Sequence, residues 1–525
     1  MHRALIAAVL TAVSLAFAVA PAAAEPYDVV VYGGTPGGVA AAIAAAREGA
    51  SVILLEQKRH VGGLSTSGLT NAETSHLDKN TLGGICREFF TRLGKEHGQD
   101  GPVWRWESHK AQRVFDAMLR EAKVPVRYGQ LVEKVEKAGK EGPQIARVKR
   151  IVMTDGSVYS GRVFVDCSYE GDLMARAGVN YIIGRESRQQ YGEPLAGVQL
   201  IDRPIDVSPY DERGKLLPGF SPPEGITPGA ADKRFMNYNF RLCYTREPKN
   251  KVPVTRPKSY DPARYAMLVR YLEKHPKTRL AHLIDLYKMP GGKFEMNNKQ
   301  NAIISIGHFG ANFDYPEADH RRRQAIWQDH KDYTQGFLYF LGNDPRVPEA
   351  LRHQTLQWGL AKDEFTDNGN WPYYLYIREA RRMIGAYVMT QHDVRQTRTK
   401  PDSIGVGSHY IDSHHVQRVA ISRTQFVNEG RIWVPGKHYH LPYRSITPKK
   451  AECENLLVPV CVSSSHVAFC TIRLEPTWMV LGQSAGTAAA MAARGGKAVQ
   501  DVDVKKLQER LRAAGQILDC PEVHH

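Results

Sequence analysis

The chain has no CxxC pair, no dense basic tract, and no apolar run of membrane-spanning length beyond its first two dozen residues. The first absence argues against thiol-redox chemistry, the second against nucleic-acid binding, and the third against a membrane span in the mature protein. Cysteine is sparse, with seven in 525 residues, at 86, 167, 243, 453, 461, 470 and 520. In an oxidising compartment these allow up to three disulfides with one thiol left over. Cys453, Cys461 and Cys470 fit one bridge as well as they fit three separately buried thiols. Lys and Arg outnumber Asp and Glu, giving a formal charge of +15, but the basic residues are spread out. They read as a solvated basic surface, with selection of an acidic substrate as the lesser alternative.

The first segment stands apart from the fold. His2-Arg3 is followed by an apolar run over 4–19, and Ala22-Ala23-Ala24 precedes Glu25. This pattern predicts an export signal at 1–24, cleaved after Ala24, and hence a periplasmic or secreted protein. The signal carries one arginine where the folded-export route uses a pair. Any cofactor is therefore met after export, or the true start lies upstream.

The rest of the chain is organised around residues 27–63. Val29-Val30-Val31-Tyr32 predicts a buried strand, and Gly33-Gly34-Thr35-Pro36-Gly37-Gly38 a glycine-rich turn. An alanine-rich helix and a second strand follow, and that strand ends on Glu56. Gly33 lets the backbone turn off the strand, and Gly38 lets the helix lie close to the sheet. The helix N-terminus offers N–H groups and partial positive charge to a pyrophosphate. Glu56 falls where an acid accepts hydrogen bonds from an adenosine ribose. Thr35 occupies the place of the second motif glycine, but strand, helix, strand and acid in register predict dinucleotide binding.

A second glycine pair, Gly62-Gly63, opens a run that includes Ser67. It resembles the segment after the dinucleotide fold in flavoproteins of the glutathione-reductase type, where backbone approaches FAD, and moves the expected cofactor from NAD to FAD. Residues 81–94 and 110–122 read as helices, the second with Phe115, Met118, Leu119 and Ala122 on a core-facing stripe. Short strands between 124 and 165, with Asp155-Gly156 as a hairpin turn, predict a β-meander. It leads to a strand ending on Asp166, in a place resembling the second FAD-contact motif, with Cys167, Ser168 and Tyr169 departing from its usual form.

These pieces, with Asn239-Phe240-Arg241, Asp363-Glu364-Phe365, Trp371-Pro372 and the run from Tyr376 to Arg382, resemble a family of FAD-dependent oxidoreductases found often among exported bacterial proteins. Its members begin Gly-Gly-Thr-Pro-Ala-Gly, which makes Thr35 a family feature. The resemblance covers 27–494. It implies an α/β fold in which a Rossmann-like FAD-binding domain, a parallel sheet with a β-meander, is interrupted by an α+β substrate domain. We place the first part of the FAD domain at 25–181, the inserted domain at 182–440, the second part at 441–500 and a C-terminal helix and tail at 501–525. In related flavoproteins the helix that begins near Pro476 faces the flavin pyrimidine, and Gln483 and Gly486 on it are expected cofactor contacts.

His466, just before that helix, is the first catalytic candidate, as acceptor of a substrate proton, although a loop-anchoring role has the greater weight. Arg241 and Arg444 are expected substrate ligands. Arg473 and Glu475 are expected to brace each other, and Arg378, Arg381 and Arg382 to share a helix with Glu379. His409, Asp412, His414 and His415 invite a metal reading, but adjacent strand residues face opposite ways, so hydrogen-bonded or substrate-facing roles are preferred and no metal is predicted. With no second GxGxxG unit, direct NAD(P)H use is disfavoured. The resemblance implies a flavoprotein oxidoreductase and no particular substrate; the leading reading is an exported enzyme that moves hydride from a small polar substrate, a carbohydrate or hydroxy acid, to flavin N5 and passes the electrons to an unidentified acceptor. The alternatives are a flavin-dependent reductase or isomerase of an unsaturated substrate, and a flavin- or ligand-binding protein without turnover.

Overall fold

A computed structural model describes residues 26–138, 146–200, 203–395, 398 and 400–520. The expected export segment at 1–24 lies outside the described residues. Strand β1 (Tyr27–Tyr32) lies between β2 (Val52–Leu55) and β6 (Val158–Asp166) and runs parallel to both, with Val30 opposite Ile53 and Phe164. Its inner residues are buried on both faces, which is why the segment is uniformly apolar where an exposed strand would alternate. The sheet continues through β3 (Val126–Arg127) beyond β2, while β4 (Val132–Ala138) and β5 (Arg147–Met153) complete the predicted antiparallel meander with β6. A final short strand, Leu456–Leu457, returns parallel to β6. The protein is α/β, with a Rossmann-like parallel sheet and additional α+β structure, as the sequence predicts.

Helix α1 (Pro36–Arg47) starts with Thr35 as its N-cap, whose hydroxyl accepts from the Gly38 N–H at 3.2 Å, and with Pro36 in the first turn, where a missing N–H costs nothing. Between 182 and 440, β7 (Leu242–Thr245) and β8 (Lys293–Asn298) are central strands of a five-stranded antiparallel sheet. Helix α2 (His320–Asn343) follows β8 in the chain, and small ladders include β9 (Ile411–Ser413), β10 (Gln417–Ala420) and β11 (Ile432–Val434). The chain then returns through α3 (His466–Ile472) to α4 (Glu475–Gly495).

Helices α1 and α4 touch backbone to backbone. A Cβ on Gly482 would lie 2.0 Å from the Gly37 carbonyl oxygen, and one on Gly486 2.0 Å from that of Ala41. Glycine at these positions sets the spacing between α4 and α1, the helix that follows the glycine-rich turn. All seven cysteines are free. Cys453, Cys461 and Cys470 are buried apart, with sulfurs against Asn455 Oδ1 (3.6 Å), the Tyr169 carbonyl (3.4 Å) and His466 Nε2 (3.8 Å) respectively. The bridges allowed by the cysteine count are therefore not made.

Candidate active site

The glycine-rich turn after β1 is built as its sequence demands. Gly33 has φ +96°, and a side chain there would strike the backbone of Ser168 at 2.5 Å. Glu56, fully buried at the end of β2, accepts hydrogen bonds from the N–H groups of Gly34 and Lys58, both at 2.6 Å, and from the Tyr374 hydroxyl. Burial raises its pKa, and these hydrogen bonds oppose the rise. The Gly62 N–H donates to the Gly34 carbonyl at 2.6 Å, so the second glycine pair lies directly against the first turn. Gly63 has φ +48°, and a Cβ there would meet the Tyr169 hydroxyl at 2.1 Å. Glycine is thus required on both arms of this cradle.

The first turn of α4 contributes three buried polar atoms that have no partner among the described residues: Glu475 Oε2, Thr477 Oγ1 and Trp478 Nε1. Buried polar atoms of this kind are satisfied in native proteins. Together with the glycine cradle and Glu56, they fit FAD. Residues 33–38 and Glu56 would hold the adenosine and pyrophosphate half, and Gly62-Gly63 and the start of α4 the flavin half.

Beside the start of α4 lies a cavity of about 260 Å³. Leu474, the N-cap of α4, forms part of its wall, and so does Glu73, whose carboxylate accepts from the Glu475 N–H at 3.2 Å and from the Tyr376 hydroxyl. Burial raises the Glu73 pKa, and Arg473 works against that. The lining holds three cations (Arg241, Lys299 and Arg431) and three carboxylates (Glu73, Asp285 and Asp412). Asn297, Asn298, Gln300 and Asn301 add amides, and Tyr287, Tyr376 and Trp433 add rings. Trp433 on β11 stands opposite Asp412 on β9, and this pairing carries both to the cavity.

Three histidines, His76, His409 and His414, complete the wall. His409 Nδ1 contacts the Tyr410 carbonyl at 2.9 Å, and a carbonyl only accepts, so the proton sits on Nδ1 and Nε2 keeps its lone pair. Burial lowers its pKa to about 4, keeping the imidazole neutral at pH 7. His414 is lowered further, by burial and by Arg378. Behind the wall, Arg378 donates to Asn239 Oδ1 (2.6 Å) and Asn298 Oδ1 (2.9 Å), neutral partners only, and burial with Arg241 nearby lowers its pKa to about 9. Arg241, Arg378 and Arg473 surround the Tyr376 ring at 5.1, 4.5 and 5.9 Å.

The structure redistributes several expected roles. Arg241 does line the cavity, paired with Glu295 at 2.7 Å. His466 does not. It is 1% exposed, its Nδ1 lies 2.9 Å from Glu379, and Arg382 binds the same carboxylate. Burial would lower its pKa, but Cys470 and Glu379 raise it to about 10, so the ring is already protonated and anchors α3. Arg444 is also outside the cavity, half-exposed and paired with Asp402 at 2.9 Å. Asp166 spends its carboxylate on the loop after β6, accepting from the Ser168 hydroxyl (2.7 Å) and the Met174 N–H (2.8 Å). Ser67 accepts from the Tyr374 N–H at 2.9 Å.

Gln483 and Gly486 are not placed as cofactor contacts. Gln483 accepts from the Ile85 N–H at 2.7 Å, and Gly486 packs on α1, because both lie two or more turns past the start of α4. Arg473 pairs with Asp412 (3.4 Å) while Glu475 accepts from the Tyr169 hydroxyl (2.6 Å), so these two do not brace each other. The segment 376–381 is irregular and Arg382 begins a short strand, so no helix forms and the arginines diverge: Arg381 pairs with Asp172, and Arg382 with Glu186 and Glu379. His409, Asp412 and His414 do not converge as metal ligands. Among the described residues, one group of three does, Glu107, His109 and Asp363, and Lys293 Nζ sits 2.7 and 2.8 Å from two of its carboxylates. Sequence reasoning overlooked Glu73 and the amides at 297–301, which carry no motif and meet the site only through folding.

Over 177 residues the chain is 31% identical to digeranylgeranylglycerophospholipid reductase 2 of Methanopyrus kandleri, covering 30% of this chain and 39% of that protein. Over 57 residues it is 53% identical to vinyl phenol reductase of Lactiplantibacillus plantarum, covering 10% and 11%. The chain thus spans less than half the length of either relative. The crystal structure of THI4 of Thermovibrio ammonificans aligns at 20% identity and a TM-score of 0.23, over 31% of this chain and 67% of that one. The family described as FAD dependent oxidoreductase matches residues 28–511, nearly the whole described chain. The chain belongs to that family, and FAD is its cofactor.

Proposed function

We propose that this protein oxidises a small, neutral, polyhydroxylated substrate, a sugar or polyol, in the cavity at the start of α4. The observation that carries this reading is the balanced lining: three cations offset by three carboxylates, with amides and rings between them. Each hydroxyl of such a substrate both donates and accepts, and a wall of alternating donors and acceptors satisfies it without demanding a net charge. Of the two substrate classes implied by the sequence, this favours the carbohydrate over the hydroxy acid. Bound FAD supplies the hydride acceptor. His409, neutral and with its lone pair on Nε2, takes the hydroxyl proton as the carbon gives up hydride. Tyr287, Tyr376 and Trp433 offer faces to the apolar side of a sugar ring. The expected export signal puts this activity outside the cytoplasm, and the Gly-Gly-Thr-Pro turn is read as the pyrophosphate-binding element.

Anaerobic titration of the FAD-loaded protein tests the reading. Sugars or polyols should bleach the flavin absorbance while hydroxy acids of similar size do not. Bleaching by hydroxy acids alone would refute the balanced-cavity argument. A second reading draws on the two partial relatives, both named as reductases. In it, reduced flavin hydrogenates an unsaturated substrate. Failure of every alcohol to bleach, with rapid reoxidation of the chemically reduced protein by an unsaturated acid, would select it.

A further inference from the structure

A second cavity, of about 310 Å³, lies away from the first and shares no residue with it. Its floor includes Arg418 of β10, and one side is formed by α2 through Asp329 and Tyr333. Arg418 is 5% exposed, with its guanidinium 4.0 Å from the centre of the Phe309 ring. It forms no ion pair among the described residues, and its Nε and Nη2 have no hydrogen-bond partner there. Those two atoms make up one edge of the guanidinium. With the same edge, Arg185 grips Asp232 at 2.9 and 2.6 Å. Burial lowers the Arg418 pKa, with the Tyr333 hydroxyl opposing this, yet a guanidinium stays charged at neutral pH.

A buried charge without a counter-charge is unfavourable; Arg185, Arg323 and Arg382 are each paired with carboxylates, and Arg378, which has no carboxylate partner, is hydrogen-bonded to three neutral oxygens, whereas two of the Arg418 nitrogens have no partner among the described residues. The remaining charges around the cavity cancel. Arg264 pairs with Asp329 at 3.0 Å, and His308, between them, is held neutral by burial. One uncompensated positive charge is left, at Arg418. The other walls are apolar, from Leu217, Phe220, Met267, Ile304 and Phe309.

We propose that this cavity is a second ligand site, for a small monocarboxylate with an apolar body, in which the carboxylate supplies the counter-ion that Arg418 lacks and the apolar body lies against Phe220, Met267 and Ile304. A carboxylate suits the forked edge of a guanidinium, and a single negative charge matches the single excess positive one. The segment 298–309 runs from the wall of the first cavity to the wall of the second, so the ligand sits on the same stretch of chain that carries Asn298 and Asn301 to the substrate cavity.

Calorimetric titration of the FAD-loaded protein with benzoate, formate and benzyl alcohol tests the proposal. One benzoate per chain is expected, at least tenfold tighter than either the alcohol, which lacks the charge, or formate, which lacks the apolar body. Arg418→Met should weaken benzoate at least tenfold and leave benzyl alcohol and the flavin spectrum unchanged. Ala263→Phe keeps Arg418 but fills the exposed mouth of the cavity, and should block benzoate even where Arg418→Met does not fold. Benzoate binding no tighter than formate or benzyl alcohol, or binding that survives Ala263→Phe, would overturn the proposal.

Discussion

Replacing Gly486 by alanine separates a packing role from a cofactor-contact role. The added Cβ would lie 2.0 Å from the Ala41 carbonyl oxygen, which is backbone and cannot swing aside. Helices α1 and α4 must move apart by roughly 1.5 Å to restore an ordinary contact in a close-packed interior. Overpacking of this kind costs about 1–3 kcal/mol. Against it stands the gain of about 1 kcal/mol from alanine over glycine within a helix. A net loss of up to about 2 kcal/mol is therefore expected, in the FAD-free protein as well as the loaded one. Because α1 begins at the Gly33–Gly38 turn, its displacement should also weaken FAD retention. Urea unfolding of both forms, with FAD release followed by fluorescence, measures the two effects. Unchanged or increased stability of the FAD-free protein, together with weaker FAD binding, would refute the packing argument and restore Gly486 as a cofactor contact. Gly482→Ala meets the Gly37 carbonyl in the same way, and the double variant should not be additive, since one helix separation relieves both contacts.

Glu56→Gln turns an NH₂ group toward a backbone N–H of Gly34 or Lys58, both of which need an acceptor. A buried donor left unpaired costs about 1–3 kcal/mol. The variant should lose FAD on gel filtration, and retention equal to wild type would remove Glu56 from the site. His409→Gln should lower the turnover number by about 10²- to 10⁴-fold with the flavin spectrum intact. In the parent enzyme, kcat/KM should fall as pH drops through about 4, where His409 gains the proton that blocks it as a base. An acid limb that persists in the variant would assign that pKa to another group.

The strand, turn, helix and acid of residues 27–56 were legible because each depends on short-range chemistry. An apolar strand covered on both faces, a turn that needs positive φ and an N-cap before a proline are all written in neighbouring residues. The meander before Asp166 was legible for the same reason. The segment from Tyr376 to Arg382 was not. Its helix-compatible composition is overridden by long-range ion pairs, Arg381 to Asp172 and Arg382 to Glu186, that pull the chain into an irregular path. His466 illustrates a different failure. Its position before α4 was right, but whether a histidine is a base depends on what surrounds it, and Glu379 arrives from nearly ninety residues away.

Sequence alone determined the cofactor and the glycine-rich turn after β1, because those features recur as contiguous motifs whose glycines are required by backbone geometry. Only the tertiary structure decided which polar residues share a cavity. Glu73 follows the second glycine pair, Arg241 precedes β7, the amides lie at and just past the end of β8, His409 precedes β9 and Trp433 lies on β11; no local pattern links them. Only the packing of these elements against the start of α4 gathers them, cancels their charges against one another and sets each side chain's protonation.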